Sequence, residues 1–118
     1  MLNTNLKNVW LLLLFTVPVA AGAASLSDRA KEARWERQIA PDLMVGDAVK
    51  LKAAGVEFLA LYAAPSAKES KGAVIILHGN GVHPAWPDVI EPLRTQLPEH
   101  GWHTLSLQMP ILQNGAKE

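Results

Sequence analysis

The tetrapeptide His78-Gly79-Asn80-Gly81 has the residue types and order that could support chemistry. It directly follows an uninterrupted apolar run at residues 73–77. Glycine adopts positive φ angles easily and leaves room for a ligand to approach the backbone. A turn of this kind could hold a phosphate, contribute to a metal site, stabilise the oxyanion of an acyl-transfer reaction, or simply connect two elements.

The two common phosphate-binding motifs do not fit this turn. A dinucleotide fingerprint requires G-x-G-x-x-G, but Pro84 stands where the third glycine should be. A P-loop requires a lysine followed by serine or threonine, and the turn has neither. We therefore expect neither a dinucleotide nor a nucleoside triphosphate here, and no cofactor.

A metal site would have to use the four histidines, His78, His83, His100 and His103, with Asp88 as the nearest candidate carboxylate. Structural or catalytic zinc takes three or four protein ligands in defined geometry. The first two histidines straddle a glycine turn with no carboxylate between them, and nothing in the spacing favours the others. The sequence therefore predicts no metal site.

The oxyanion interpretation fits the turn best. A developing oxyanion is stabilised by preorganised donors, and backbone amides in a tight turn supply them. We expect the N–H groups of Asn80 and Gly81 to be these donors, with His78 and Gly79 as the supporting motif and positive φ angles at Gly79 and Gly81. The alternative stays open at this point, because Gly-Asn-Gly is also ordinary turn chemistry after a strand.

The elements around the turn follow from the apolar pattern. Residues 47–64 predict two strands joined at Ala54-Gly55, and one face of the first strand is expected to be exposed to solvent. Residues 73–77 predict a parallel strand covered on both faces. A helix starting at Pro87 would place Ile90, Leu93 and Leu97 on one face, with a kink or restart at Pro92, and residues 102–110 predict the next strand. The result is a strand–helix–strand unit whose last strand would be left as an exposed edge.

A separate helix is predicted before the sheet. Ser27 can cap a helix over residues 28–39, which Pro41 would end. Its apolar stripe is thin, so we expect residues 24–46 to form a helical arm on the surface, ahead of a partial α/β domain at 47–118.

The N-terminus has the layout of a secretory signal peptide. Lys7 lies in a short polar start, residues 9–20 are apolar, and Ala21-Gly22-Ala23 is an A-x-A cleavage site. A membrane-spanning helix needs about 20 apolar residues, more than this run contains. We expect residues 1–23 to be removed and the protein to be exported, to the periplasm or outside the cell. An uncleaved anchor over residues 2–20 is the alternative.

Composition narrows the class of protein. The chain has 118 residues, 49% of them hydrophobic, with eleven basic and eleven acidic side chains and no cysteine. This is a globular composition for at most one domain. The neutral balance argues against nucleic acid as a partner, and against membrane contact other than through the signal segment. Without cysteine there is no disulfide, thiolate metal site or cysteine nucleophile.

Taken together, these segments resemble the α/β-hydrolase superfamily. "GAVIILHGNG" is similar to its third strand and oxyanion turn, and "WPDVIEPLRTQLPEHGWHTLSLQMP" to its first helix and following strand. More narrowly, the chain resembles an exported bacterial family of α/β-hydrolase type with no assigned function, over roughly residues 42–112. The resemblance implies an α/β fold containing an incomplete hydrolase-type sheet, and in the complete protein a serine hydrolase acting on a small ester-like substrate.

The chain departs from that family's pattern where the catalytic residues should follow. The family carries its nucleophile on a later G-x-S-x-G elbow, with an acid and a histidine after it. Ser66 and Ser70 lie in a polar loop, and Ser106 lies within the last strand without flanking glycines. We therefore assign no catalytic residue, and expect the N-terminal part of a longer hydrolase-like protein that is inactive alone. A non-catalytic exported binding protein on the same scaffold is the alternative; the oligomeric state is open.

Overall fold

The computed structural model describes residues 27–113, so the predicted signal peptide at 1–23 lies outside the described part. Two helices and four strands make up the fold, with short 3₁₀ turns after each helix. In chain order the elements are α1 (Arg29–Ile39), β1 (Asp47–Ala53), β2 (Val56–Ala63), β3 (Gly72–Leu77), α2 (Ile90–Gln96) and β4 (Trp102–Leu107).

Strands β1 and β2 form the antiparallel hairpin that the sequence predicted. The two turn residues, Ala54 and Gly55, have φ angles of 50° and 76°. Positive φ at both central positions is what a type I′ turn requires, and this turn matches the twist of the flanking strands.

The four strands form one mixed α/β sheet in the order β1-β2-β4-β3. Strand β4 pairs with β2 antiparallel and with β3 parallel. The predicted strand–helix–strand unit is therefore confirmed, since α2 connects two adjacent parallel strands.

The edge of the sheet is not where the sequence suggested. The sequence predicts that the last strand, β4, forms an exposed edge. In the structure β4 lies between β2 and β3, so its backbone pairs on both sides. Strands β1 and β3 are the two edges. Only one face of β3 is covered: Ile76 is 6% exposed, whereas Ile75 and Leu77 are 62% and 56% exposed. The expectation that residues 73–77 are buried on both faces is wrong for the described structure, because both helices lie on the same side of the sheet.

Contacts from the two helices identify that covered side. Lys50 on β1 forms an ion pair with Glu36 of α1. The hydroxyl of Thr104 on β4 donates to the carbonyl of Arg94 in α2 at 2.8 Å. The strand registers place Lys50 and Thr104 on one face, together with the fully buried Leu61.

Helix α2 begins at Ile90 rather than at the expected Pro87. Pro92 is accommodated in the first turn, where backbone N–H groups have no intrahelical partner. The inner face also differs: Ile90 is buried, but Leu93 is 42% exposed and Arg94 is only 1% exposed. The guanidinium occupies the inner position because it has hydrogen-bond partners there, described below.

Helix α1 ends before Pro41, as expected, but Asp28 rather than Ser27 is its N-cap. The Asp28 carboxylate accepts the backbone N–H of Lys31 at 2.9 Å, satisfying one of the donors left open at a helix start. The helix is also more firmly attached than a surface arm, since the buried Glu32 accepts the N–H of Ile111 at 3.1 Å. Neither described helix is long and apolar enough to cross a membrane.

Candidate functional site

The candidate turn follows the last residue of β3, at the edge of the sheet where the parallel strands β3 and β4 both end. Open α/β sheets bind ligands outside the carboxyl ends of their strands. A turn occupies Asn80 and Gly81, and Gly81 has a φ of 80°. The expectation of a positive φ is confirmed at Gly81 but wrong at Gly79, because the left-handed residue of the bend lies two positions later, at Gly81.

His78 ties this turn to the end of β4. Its ring is buried, and its Nε2 accepts the backbone N–H of Met109 at 2.9 Å. Because Nε2 is the acceptor, the ring proton is on Nδ1, which donates to the carbonyl oxygen of Gly79 at 2.8 Å. One neutral imidazole therefore fixes both the separation of the two strand ends and the direction of the first peptide plane in the turn.

The fixed carbonyl sets the direction of the next donor. In a trans peptide the C=O and the following N–H point in opposite directions, and the described backbone contains no cis bond. The N–H of Asn80 therefore points away from the His78 ring. Within residues 27–113, neither the Asn80 nor the Gly81 N–H donates a hydrogen bond, and both residues are exposed. The turn thus presents two open backbone donors.

Burial keeps the histidines of this region neutral. It lowers the pKa of His78, against smaller opposing effects of the Gly79 carbonyl and the Glu32 carboxylate. Burial is also the main cause that lowers the pKa of His83, reinforced by His78 and opposed by Glu91. A neutral His78 is the form that its two hydrogen bonds require, so the environment and the geometry agree.

The arm helix contacts the loop that follows the turn, which the sequence did not reveal. The ring of His83 lies edge-on between Trp35 of α1 and Trp86, with centroid distances of 5.2 Å and 5.3 Å. The His83 Nδ1 accepts the backbone N–H of Ala85 at 3.2 Å. Helix α1 therefore helps to hold the loop between β3 and α2, although the residues in contact are almost 50 positions apart.

Arg94 is buried in the structure, and the sequence did not indicate its burial or its partners. Its Nε and Nη2 donate to the two carboxylate oxygens of Glu91 at 2.6 Å and 2.9 Å, and its Nη1 donates to the carbonyl of Val45 at 2.8 Å. The spacing of three residues between Glu91 and Arg94 was the available signal. The buried Arg94 joins α2 to the segment before β1 through the Val45 carbonyl, and so supports the helix that follows the candidate turn.

The histidines considered for metal binding are not brought together. His103, near the start of β4, lies against Tyr62 with Nδ1 2.8 Å from the phenol oxygen, whereas His78 follows the end of β3. Within the described residues, no group of three or more His, Cys, Asp or Glu side chains could hold a metal ion.

The hydroxyls of Ser66 and Ser106 both contact backbone carbonyls. The buried Ser106 hydroxyl donates to the carbonyl of Pro84 at 2.7 Å, which holds the loop onto the sheet. The Ser66 hydroxyl contacts the Pro98 carbonyl at 3.5 Å.

The two glycines of the turn should respond differently to substitution. A Cβ at either position meets open space, but only Gly81 has a left-handed φ. We expect Gly81→Ala to lower the free energy of unfolding by about 1 kcal/mol and Gly79→Ala to change it by less than about 0.5 kcal/mol. Urea unfolding of both variants checks this, and an equal loss in the two would contradict the described turn.

The fold and the turn define an α/β protein with open backbone donors at the carboxyl edge of its parallel strands. Residues 15–117 match the family described as "Protein of unknown function (DUF3530)". The chain therefore belongs to this family. No curated protein and no solved structure matches this chain.

Proposed function

We propose that this chain is the N-terminal part of an exported α/β-hydrolase-like protein. In the complete protein, a serine nucleophile would attack a small ester-like substrate. The backbone N–H groups of Asn80 and Gly81 would then stabilise the oxyanion. The observation that carries the proposal is the pair of open donors in a turn whose peptide direction is fixed by His78.

The position of the turn supports this assignment. In α/β-hydrolases one oxyanion donor comes from the loop between the third strand and the helix after it. Here the turn directly follows β3, the third strand, and precedes α2. A preorganised donor is most effective when its direction is set before the reaction, and the His78 hydrogen bonds provide that support without contributing a catalytic group.

The open edge of β3 supports the expectation of further sheet in the complete protein. Strand β3 pairs with β4 on one side, and within the described residues its other side has no strand partner. An apolar edge with exposed Ile75 and Leu77 is an association liability unless something covers it. In the proposed protein, a later strand carrying the nucleophile elbow would lie there.

The test compares this chain with the product of the reading frame continued past Glu118. The 118-residue chain should neither hydrolyse p-nitrophenyl butyrate nor react with a fluorophosphonate probe. The longer protein should do both, with the label on a serine beyond residue 118. In that protein Gly79→Ala, which adds a methyl group beside the donors, should lower kcat/KM at least about tenfold.

The control is Gly55→Ala, which also adds a methyl group at an exposed turn with open space around it. Because Gly55 has a φ of 76°, this variant is at least as destabilising as Gly79→Ala, so a loss of activity confined to Gly79→Ala cannot be a loss of folding. That turn belongs to the β1–β2 hairpin, and β4 and β2 separate β1 from the edge strand β3. Gly55→Ala should leave kcat/KM unchanged. Fluorophosphonate labelling of a serine within residues 27–113 would contradict the proposal. Equal effects of the two glycine variants on kcat/KM would also contradict it.

A non-catalytic exported binding protein is the second candidate. It is favoured by the contacts of Ser66 and Ser106, whose hydroxyls donate to backbone carbonyls rather than to a histidine. A longer protein that folds, contains no G-x-S-x-G elbow and shows no labelling would support this candidate over the hydrolase.

A further inference from the structure

The turn after β3 contains the dipeptide Asn80-Gly81, in which a carboxamide is followed by a residue without a side chain. In this order the backbone nitrogen of the glycine can attack the Cγ of the asparagine and close a five-membered ring. Asparagine is one of the thermolabile residues of proteins. The ring closure requires a carboxamide that is free to turn, a nitrogen that no acceptor holds, and open space around that nitrogen.

The carboxamide of Asn80 is free in this sense. Asn80 is exposed to solvent. Within residues 27–113 its side chain makes no hydrogen bond and no ion pair. The carbonyl and the amide of the side chain can therefore turn towards the main chain without breaking a contact.

Gly81 supplies the free nitrogen. Its N–H donates no hydrogen bond within the described part of the chain. Apart from its neighbours along the chain, no atom lies within 4 Å of the position that a Cβ would occupy. Its φ of 80° is one that glycine adopts easily and other residues rarely do, so the turn itself favours the residue that leaves the nitrogen uncovered.

The firmly held part of the turn ends just before this dipeptide. The His78 Nδ1 donates to the Gly79 carbonyl at 2.8 Å, which fixes the peptide between Gly79 and Asn80. No comparable contact holds the peptide between Asn80 and Gly81 in the described structure. Segments with few contacts open locally at low cost, so this second peptide can rotate to bring its nitrogen to the Asn80 Cγ.

We propose that Asn80-Gly81 is a self-modification site at which the chain converts asparagine to isoaspartate and aspartate. The Gly81 nitrogen forms a bond to the Asn80 Cγ, the bond from Cγ to the side-chain nitrogen breaks, and ammonia leaves with the proton of the Gly81 N–H. Water then opens the ring at either carbonyl. Opening at Cγ gives aspartate, and opening at the main-chain carbon gives isoaspartate. Water is the only co-reactant.

Either product changes the place where the two open donors lie. Both replace a neutral amide by a carboxylate, and isoaspartate also adds a methylene to the main chain between the nitrogens of Asn80 and Gly81. A negative charge at a few ångströms repels an oxyanion, and the longer main chain moves the second donor. This consequence rests on the proposed function, whereas the modification does not: aged copies of the complete protein lose their oxyanion site.

The test incubates the full 118-residue chain in warm, mildly alkaline buffer, both folded and unfolded in urea. Trypsin releases residues 72–94 as one peptide whose only asparagine is Asn80, and conversion makes that peptide one mass unit heavier. The folded chain should convert Asn80 no more than about fivefold more slowly than the unfolded chain, because the turn opens at little cost. Isoaspartate should form beside aspartate, since ring opening gives both and direct hydrolysis gives only aspartate.

Two glycine variants separate the attacking nitrogen from the rest of the turn. Gly81→Ala covers this nitrogen with a side chain and restricts its approach, so conversion should slow at least about fivefold. The same variant destabilises the turn, which alone would speed the reaction, so slower conversion cannot come from unfolding. The matched control is Gly79→Ala, which adds a methyl group in open space on the other side of Asn80 and should leave the rate unchanged.

Three results would overturn the modification site. One is conversion in the folded chain that is more than about fivefold slower than in urea, which would show that the turn is held closed. Another is aspartate without isoaspartate. The third is an equal effect of Gly81→Ala and Gly79→Ala on the rate.

A separate measurement tests the consequence for activity. In the protein continued past Glu118, hydrolysis of p-nitrophenyl butyrate should fall in proportion to the converted fraction. Asn80→Gln, whose longer side chain would have to close a larger ring, should keep its own starting rate during the same incubation. Conversion at the expected rate with undiminished hydrolysis would contradict the oxyanion role of the turn, while the modification site would stand.

Discussion

Replacing Arg94 with methionine is expected to lower the free energy of unfolding by about 3 kcal/mol. Methionine preserves most of the buried volume but removes the donors to Glu91 and to the Val45 carbonyl. Because Arg94 is only 1% exposed, water cannot replace these contacts without repacking. Urea unfolding of the described domain measures the loss.

The matched control is Glu91→Gln, which keeps an acceptor for the guanidinium. The Glu91 side chain is 35% exposed, so a change there is partly compensated by water and should cost no more than about 1 kcal/mol. The double variant should show coupling between the two positions. A loss below about 1 kcal/mol for Arg94→Met would mean that the guanidinium is solvated rather than buried.

Replacing His78 with alanine is expected to cost about 3 kcal/mol as well, because it leaves both the Met109 N–H and the Gly79 carbonyl without a partner. The variant should also change the pH dependence of stability. Burial lowers the pKa of His78 in the folded state, so below about pH 6.5 the unfolded chain binds a proton that the folded chain does not. Stability contributed by the neutral ring is complete above that pH and is lost as the pH falls towards the lowered folded-state pKa.

The measurement is the free energy of unfolding between pH 5 and pH 8. His78→Ala should be flatter than the unaltered protein in the acid half of that range, by at most about 1.4 kcal/mol per pH unit for one proton. His83, whose pKa is also lowered, mainly by burial, contributes to the dependence that remains. His100→Ala removes an exposed histidine with no hydrogen bond to its ring within the described residues, and at pH 8 it should change the free energy of unfolding by less than about 0.5 kcal/mol. Superimposable profiles for His78→Ala and the unaltered protein would contradict the buried neutral ring.

The sequence was most informative where local chemistry decides structure. Ala54-Gly55 correctly placed a hairpin turn, because a two-residue hairpin loop needs positive φ at both positions and Gly55 adopts it easily, although alanine at position 54 does not. Pro41 correctly marked the end of α1, and the run ending at Leu77 correctly predicted a strand. The turn at Gly81 also followed from residue type alone.

The sequence was least informative where position in the sheet decides burial. Residues 102–107 and 72–77 are both apolar, and neither run indicates which strand pairs on both sides. In the structure β4 does so, whereas β3 lies at an edge. The partners of Arg94, Glu32 and Gln108 are likewise set by tertiary contacts, because an isolated polar residue among apolar ones gives no sign of what it will meet. The Glu91–Arg94 and Arg29–Glu32 pairs, each three residues apart, could have been recognised beforehand.

The central claim is that the turn after β3 holds the oxyanion of an acyl-transfer reaction. Its most direct test is a crystal structure of the complete protein after reaction with a p-nitrophenyl alkylphosphonate, whose phosphonyl oxygen stands in for the oxyanion. We predict that this oxygen lies about 3 Å from the backbone nitrogen of Asn80. An adduct whose oxygen is bound elsewhere, with the Asn80 and Gly81 N–H groups facing solvent, would contradict it.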